Sequence, residues 1–263
     1  MTRTTIAAAL FVTIPALGAT QAPPVQVGSL TVAPPTRIGE IDRDKQKGQP
    51  SRLAWSADGT ELYVQTMDGE FGKPGARLSH YVFKIENGNR REVQAEPEWV
   101  SAYWTAKSGQ AAPDDGAFKI ELKQEIRSQK TVSTPMGGDL ARGGGVGGDG
   151  GTASSGDALA AAYNQQPVPV NTMVLHGEVV GEFVNSVIVP GLTFGWGPKG
   201  SKVIAYSAAK GGRLVIMNDQ GKKQDLEGTK DALLPAWSPD GTRLAWLQKD
   251  GKKKYELKVA RIN

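Results

Sequence analysis

Cysteine is absent from the 263 residues, and histidine occurs only twice, as His80 and His176. Without cysteine there is no disulfide framework, no thiolate metal site and no cysteine nucleophile. Two histidines fall short of the three protein ligands usual at catalytic zinc. Charge of one sign is scarce as well. The 31 Lys+Arg and 27 Asp+Glu leave +4, which makes no electrostatic case for a nucleic-acid partner. No G-x-S-x-G, H-E-x-x-H or EF-hand loop occurs. Glycine, at 33, and proline, at 16, are plentiful, so their distribution decides whether the chain is disordered or turn-rich.

Long apolar runs are missing except at the start. Arg3 precedes the apolar residues 6–17, and small residues follow, with cleavage expected after Gly18, Ala19 or Ala22. That layout is a secretory signal peptide, too short and too interrupted by Pro15 to be a membrane span. Residues 1–22 are therefore expected to be removed, leaving a periplasmic or secreted protein. A lipid anchor is excluded because no cysteine follows. Residues 23–50 read as a Pro-rich and charged tether, with alternation over Thr36–Ile41 that can supply one strand.

Three segments repeat. They begin at Ala54-Trp55-Ser56-Ala57-Asp58-Gly59, Gly195-Trp196-Gly197-Pro198-Lys199-Gly200 and Ala236-Trp237-Ser238-Pro239-Asp240-Gly241. Trp196 and Trp237 lie 41 residues apart, the period of a four-stranded propeller blade. In each unit a tryptophan precedes a turn, and in Ser238-Pro239-Asp240-Gly241 the proline fixes φ and the glycine accepts the left-handed region. Period-two runs follow at Leu62/Val64, Val203/Ala205 and Leu244/Trp246, with further strands at Tyr81–Ile85, Leu214–Met217 and Tyr255–Val259. Trp99 and Trp104 are read as the mark of a degenerate second blade ending near Leu122. Residues 172–175 and 178–189 supply a third.

The unit Pro235–Trp246 resembles the WD40-like repeat of TolB-type β-propellers, and Ser51–Gly59 is similar with Ala57 in place of proline. The Trp196 unit is a looser match, with Lys199 where aspartate is usual. The resemblance implies an all-β propeller of four to six four-stranded blades, some degenerate. It covers 51–136 and 157–263, on either side of a Gly-rich insert at 137–156. The structural motif residues are Trp55, Asp58, Gly59, Trp196, Pro198, Gly200, Trp237, Ser238, Pro239, Asp240 and Gly241. The α/β domain that TolB-type proteins carry before the propeller has no counterpart here, so a stand-alone propeller is expected.

Residues 137–156 hold ten glycines in twenty positions. The G-x-G-x-x-G at Gly145, Gly147 and Gly150 lacks a strand before it and a helix after it, so it reads as linker rather than phosphate cradle. Asp157–Tyr163 is expected as a short helix. His80 and His176 read as strand and turn residues, Asp114-Asp115-Gly116 as a solvated turn, and Lys252-Lys253-Lys254 (with Lys249 and Lys258) as a charged hairpin tip. No catalytic residue, cofactor or metal is expected. The sequence points to a non-enzymatic scaffold that binds protein partners in the bacterial cell envelope. The alternative is a carbohydrate-binding or polysaccharide-processing propeller with its site at the central channel.

Overall fold

The computed structural model describes residues 27–46, 48–69, 75–113, 115–128, 167–184, 191–208 and 213–263. The expected signal peptide, the Gly-rich insert and the helix expected at 157–163 lie outside them. Asp114 does too, while Asp115 lies in a strand. The described chain is a four-bladed β-propeller.

The first strand, β1 (Thr36–Asp42), belongs to the last blade. Blade one is β2 (Gln49–Trp55), β3 (Glu61–Asp68), β4 (Arg77–Lys84) and β5 (Arg90–Val93), hydrogen-bonded in that order. A helix, α1 (Glu98–Ser108), and a short hairpin, β6 (Ala111–Ala112) and β7 (Asp115–Lys119), lead to blade two. That blade has three strands: β8 (Glu121–Ser128), β9 (Pro167–Leu175) and β10 (Glu178–Val184), with β9 central. Blade three is β11 (Phe194–Trp196), β12 (Val203–Ser207), β13 (Leu214–Asn218) and β14 (Lys223–Asp225). Blade four is β15 (Ala232–Trp237), β16 (Arg243–Asp250), β17 (Lys254–Arg261) and finally β1.

The two ends of the chain thus build one sheet. β1 runs antiparallel to β17, from Thr36 opposite Val259 to Asp42 opposite Lys254. The register shifts between Arg37 and Gly39, and with that bulge Ile38 and Ile41, three residues apart, are both buried in the core. Residues 27–32, read from sequence as tether, also dock. Val27 is buried, Gln224 accepts from the Gly28 and Leu30 amides, and Val32 bridges Ile262. Pairing the last blade with the first strand covers an edge that would otherwise template aggregation.

The region around Trp99 and Trp104 corrects the expectation of a strand-built second blade, because it is α1. Pro97 occupies the N-cap, Glu98 opens the first turn, Lys107 sits in the last and Gly109 follows. These are ordinary helix start and stop residues. Val100, Tyr103, Trp104 and Lys107 recur at helical spacing and turn inward. Val100 packs with Ala54, Tyr63 and Val82 of blade one. The Tyr103 hydroxyl donates to the Trp237 carbonyl, and the Lys107 Nζ to Leu53 O at 3.4 Å. Trp196 Nε1 donates to Gly109 O at 2.6 Å. The space among β2, β11 and β15 is therefore occupied by a helix.

Candidate functional site

The motif residues build nearly the same structure twice. Trp55 and Trp237 end β2 and β15, and a turn follows each. In the first, the Ser56 hydroxyl donates to Asp58 Oδ1 at 2.6 Å, while the Thr60 amide and hydroxyl donate to the same carboxylate at 3.1 and 2.8 Å. The Ser56 oxygen in turn accepts from the Glu61 amide at 2.9 Å. In the fourth blade the Ser238 hydroxyl donates to Asp240, Thr242 donates to it at 3.1 and 2.9 Å, and the Arg243 amide donates to Ser238 Oγ at 2.9 Å. Gly59 and Gly241 take φ of 68° and 73°, the region only glycine enters freely. The third copy ends β11 at Trp196 and turns through Pro198 and Gly200. With Lys199 in the aspartate position, its turn relies on Ser201, whose hydroxyl donates to Pro198 O at 2.6 Å.

These hydrogen bonds hold the Asp58 carboxyl at about 2, the Ser56 hydroxyl contributing most and Thr60 next. Asp240 is partly desolvated, which raises it, but the bonds from Ser238 and Thr242 and the charge of Arg243 prevail and lower it. The first and fourth turns also meet. Arg243 donates to Gly59 O at 2.9 Å and stacks over the Trp55 ring, 4.7 Å from its centroid. Trp55 Nε1 donates to Ala236 O at 2.9 Å, a second bond between the blades.

Beside this joint lies an open groove of about 840 Å³. It is lined by the turn 56–61, by Lys84, Ile85 and Glu86 at the β4–β5 turn, by Arg243 and by Trp99. Trp99, from the first turn of α1, is half-buried and meets the Tyr63 ring edge-on, centroids 6.2 Å apart. Glu61 is held by Arg91 through bonds of 3.1 and 2.9 Å. The groove thus carries a steadied aromatic, two fixed carboxylates and side chains of both signs.

Behind Trp99 runs a polar network that sequence reading did not single out. Arg52 grips Glu96 with bonds of 3.0 and 2.7 Å and stacks on Trp104. The Tyr63 hydroxyl lies 2.6 Å from His80 Nδ1, and Gln65 donates to that hydroxyl at 3.2 Å and to Glu96 at 3.4 Å. Burial lowers His80, so it is neutral near pH 7, and burial raises the Tyr63 phenol. Tyr63 is wholly buried. The arrangement therefore anchors the chain entering α1, with Arg52, His80 and Glu96 partly exposed around the buried Tyr63. His80 lies within β4. His176 sits in the β9–β10 turn at φ 48° and stacks on Phe118.

At the other ends of the same strands, Arg43, Asp44, Gly48, Asp68, Lys252 and Lys253 line a second hollow of about 460 Å³. Lys253 pairs with Asp44 at 2.8 Å and Lys254 with Glu40 at 3.1 Å. Part of the basic hairpin tip is thus neutralised by the acids of β1 and the turn after it. Among the described residues, no cluster of three or more His, Asp or Glu has metal-site geometry, and no helix is long and apolar enough to cross a membrane.

No family model and no curated protein matches the chain. Solved structures do. An oligogalacturonate lyase in complex with manganese matches over 80% of this chain at 10% identity and a TM-score of 0.23. A Bacteroides fragilis protein proposed to be a 6-phosphogluconolactonase matches over 79% at 14% identity and a TM-score of 0.22. The chain spans 64% and 66% of their lengths, under two thirds of either. Both carry the names of enzymes, which corrects the expectation that this chain is not one. Missing motif residues are no ground for excluding catalysis from a propeller. At such low scores the two likenesses bring no particular activity with them.

Proposed function

We propose that the chain is an exported propeller of TolB-like kind that works in the cell envelope by holding a segment of a protein partner in the groove beside Trp99. The observation that carries this reading is Trp99 itself. It is a partly buried aromatic on a helix packed between blades, with Lys84 and Glu86 lining the same groove. Aromatic anchors rimmed by charges are where protein interfaces concentrate their binding energy. The groove volume also lies within the roughly 300–1,000 Å³ typical of binding clefts.

The test places a photo-cross-linking amino acid at Trp99 and, as control, at Lys252 on the opposite end of the strands. Cells are fractionated, and cross-links are sought in the envelope. A specific protein adduct formed from position 99 and absent from 252 supports the reading. Equal patterns from both positions, or a chain found only in the cytoplasm, contradict it.

One observation favours a second ligand for the same groove. A tryptophan face near the fixed carboxylates Asp58 and Glu61 also suits an oligosaccharide, the occupant of a carbohydrate-binding propeller. With α1 packed against β2 and β11, the sugar would lie in the groove beside Trp99. Trp99 fluorescence titrated with acidic and neutral oligosaccharides separates the two readings.

A further inference from the structure

Among the described residues, β8 is an edge of the second blade. It pairs with β9 from Glu121 opposite Val174 to Ser128 opposite Pro167, without a bulge. Among the described residues no strand pairs with its other side, whereas each of the other blades has a fourth strand. The eight residues contain no proline. Leu122 and Ile126 are 54% and 67% exposed, two of the three large apolar side chains exposed among the described residues. A long, regular edge with exposed apolar groups is a template for another strand.

The sequence of that edge names its occupant. Alternation puts Leu122, Gln124 and Ile126 on one face and Glu121, Lys123, Glu125 and Arg127 on the other. Laid antiparallel against a copy of itself and centred on Gln124, β8 opposes Glu121 to Arg127, Leu122 to Ile126 and Lys123 to Glu125. Every charged pair is of opposite sign, and apolar meets apolar. The two neighbouring antiparallel registers that keep the faces aligned fail. One opposes Glu121 to Glu125 and Lys123 to itself, and the other opposes Lys123 to Arg127 and Glu125 to itself. Parallel in-register pairing sets each charge against its own copy. Like charges directly opposite destabilise a strand pair, so the chemistry selects one register.

We propose that the protein forms a two-fold symmetric dimer through β8, joining the described strands of the second blades of two copies into one continuous sheet. The contact is isologous and closes on itself, so it gives a dimer and not a fibre. Within one chain Arg127 already reaches Glu125 and, at 2.7 Å, Glu182, and Lys123 lies 4.0 Å from Glu121. These bonds hold the charged side chains along the edge. The proposal is independent of the groove beside Trp99, which lies on other elements.

Sedimentation velocity and light scattering on the full chain over a wide concentration range test it. The wild type is expected to be a reversible dimer. Each pair occurs twice across the axis, so Lys123→Glu alone and Glu125→Lys alone should each weaken dimerisation about tenfold or more. Mixing those two variants should restore it, because each new charge then faces its opposite in the other chain. Ile126→Lys should also dissociate the dimer, with circular dichroism melts confirming that every variant folds. A wild type that stays monomeric, a dimer indifferent to these changes, or single variants that fail to pair with each other would overturn the proposal.

Discussion

Lys107 sits where an ammonium is expensive. It is 2% exposed and lies in the last turn of α1, with its stem against Gly195 of β11. Its Nζ finds only Leu53 O at 3.4 Å and the face of Trp104, 4.6 Å from the centroid. No carboxylate pairs with it among the described residues, and burial pushes its pKa well below the usual lysine range. In the unfolded chain the same side chain holds its proton up to about 10.4. Between those values the unfolded state binds more protons, so stability must rise with pH, at most about 1.4 kcal/mol per unit for one group. Each pH unit inside that window should raise the urea midpoint, by at most roughly 0.5 M if the slope is about 3 kcal/mol per molar. Other shifted groups leave this window clear. Tyr63, Tyr103 and Tyr206 are raised by burial and act only above their ordinary range, and His80, lowered, acts below its own. Urea denaturation from neutral to mildly alkaline pH is the assay. Lys107→Met keeps the length and apolar stem, so it should be more stable than wild type at neutral pH and nearly flat with pH. A wild-type profile that is already flat, or a slope that survives in Lys107→Met, would refute the burial of this amine between β2 and β11.

Gly195→Ala should be among the most damaging single changes. Its new Cβ would lie 2.3 Å from Pro235 O and 3.0 Å from Lys107 Cε, so β11 and β15 must part, costing about 2–3 kcal/mol or roughly 5–10 °C in Tm by calorimetry. Asp58 is lowered, so its contribution is present above about 4 and lost as pH falls toward 2. Acid melts should therefore be steeper for wild type than for Asp58→Asn. Glu96→Gln removes the charge from the doubly bonded Arg52 partner and should cost about 1 kcal/mol, with faster hydrogen exchange in the first turn of α1. Trp99→Ala should leave the melting temperature within a few degrees while weakening partner binding about tenfold or more, measured by calorimetric titration.

The repeat was legible because its chemistry is local. Trp55, Trp196 and Trp237 each end an inner strand, and the Ser-x-Asp-Gly turns complete their hydrogen bonds within five residues. β1 could not be read the same way, because Ile38 and Ile41 stand three apart and only the bulge between Arg37 and Gly39 brings both to the core. α1 was missed although Pro97, Glu98, Lys107 and Gly109 mark its ends. Two tryptophans at blade-like distance from Trp55 carried more weight than helical spacing within eleven residues. The groove could not be read at all, because it joins residues 56–61, 84–86, 99 and 243 through the closure of the ring. The charge pattern of β8 was present in the sequence, but its meaning depended on knowing which side of the strand stays unpaired.

Ring closure by the first strand is the claim on which the rest depends, and hydrogen exchange measures it. With β1 paired to β17 and packed through Ile38 and Ile41, the amides in Thr36–Asp42 that bond to β17 should exchange as slowly as those of β16 and β17, opening only when blade four unfolds, while those on the outer edge exchange faster. If 36–42 exchange at the rate of an unstructured segment while β16 and β17 stay protected, the fourth blade lacks its outer strand. The ring is then not closed by the chain's own ends.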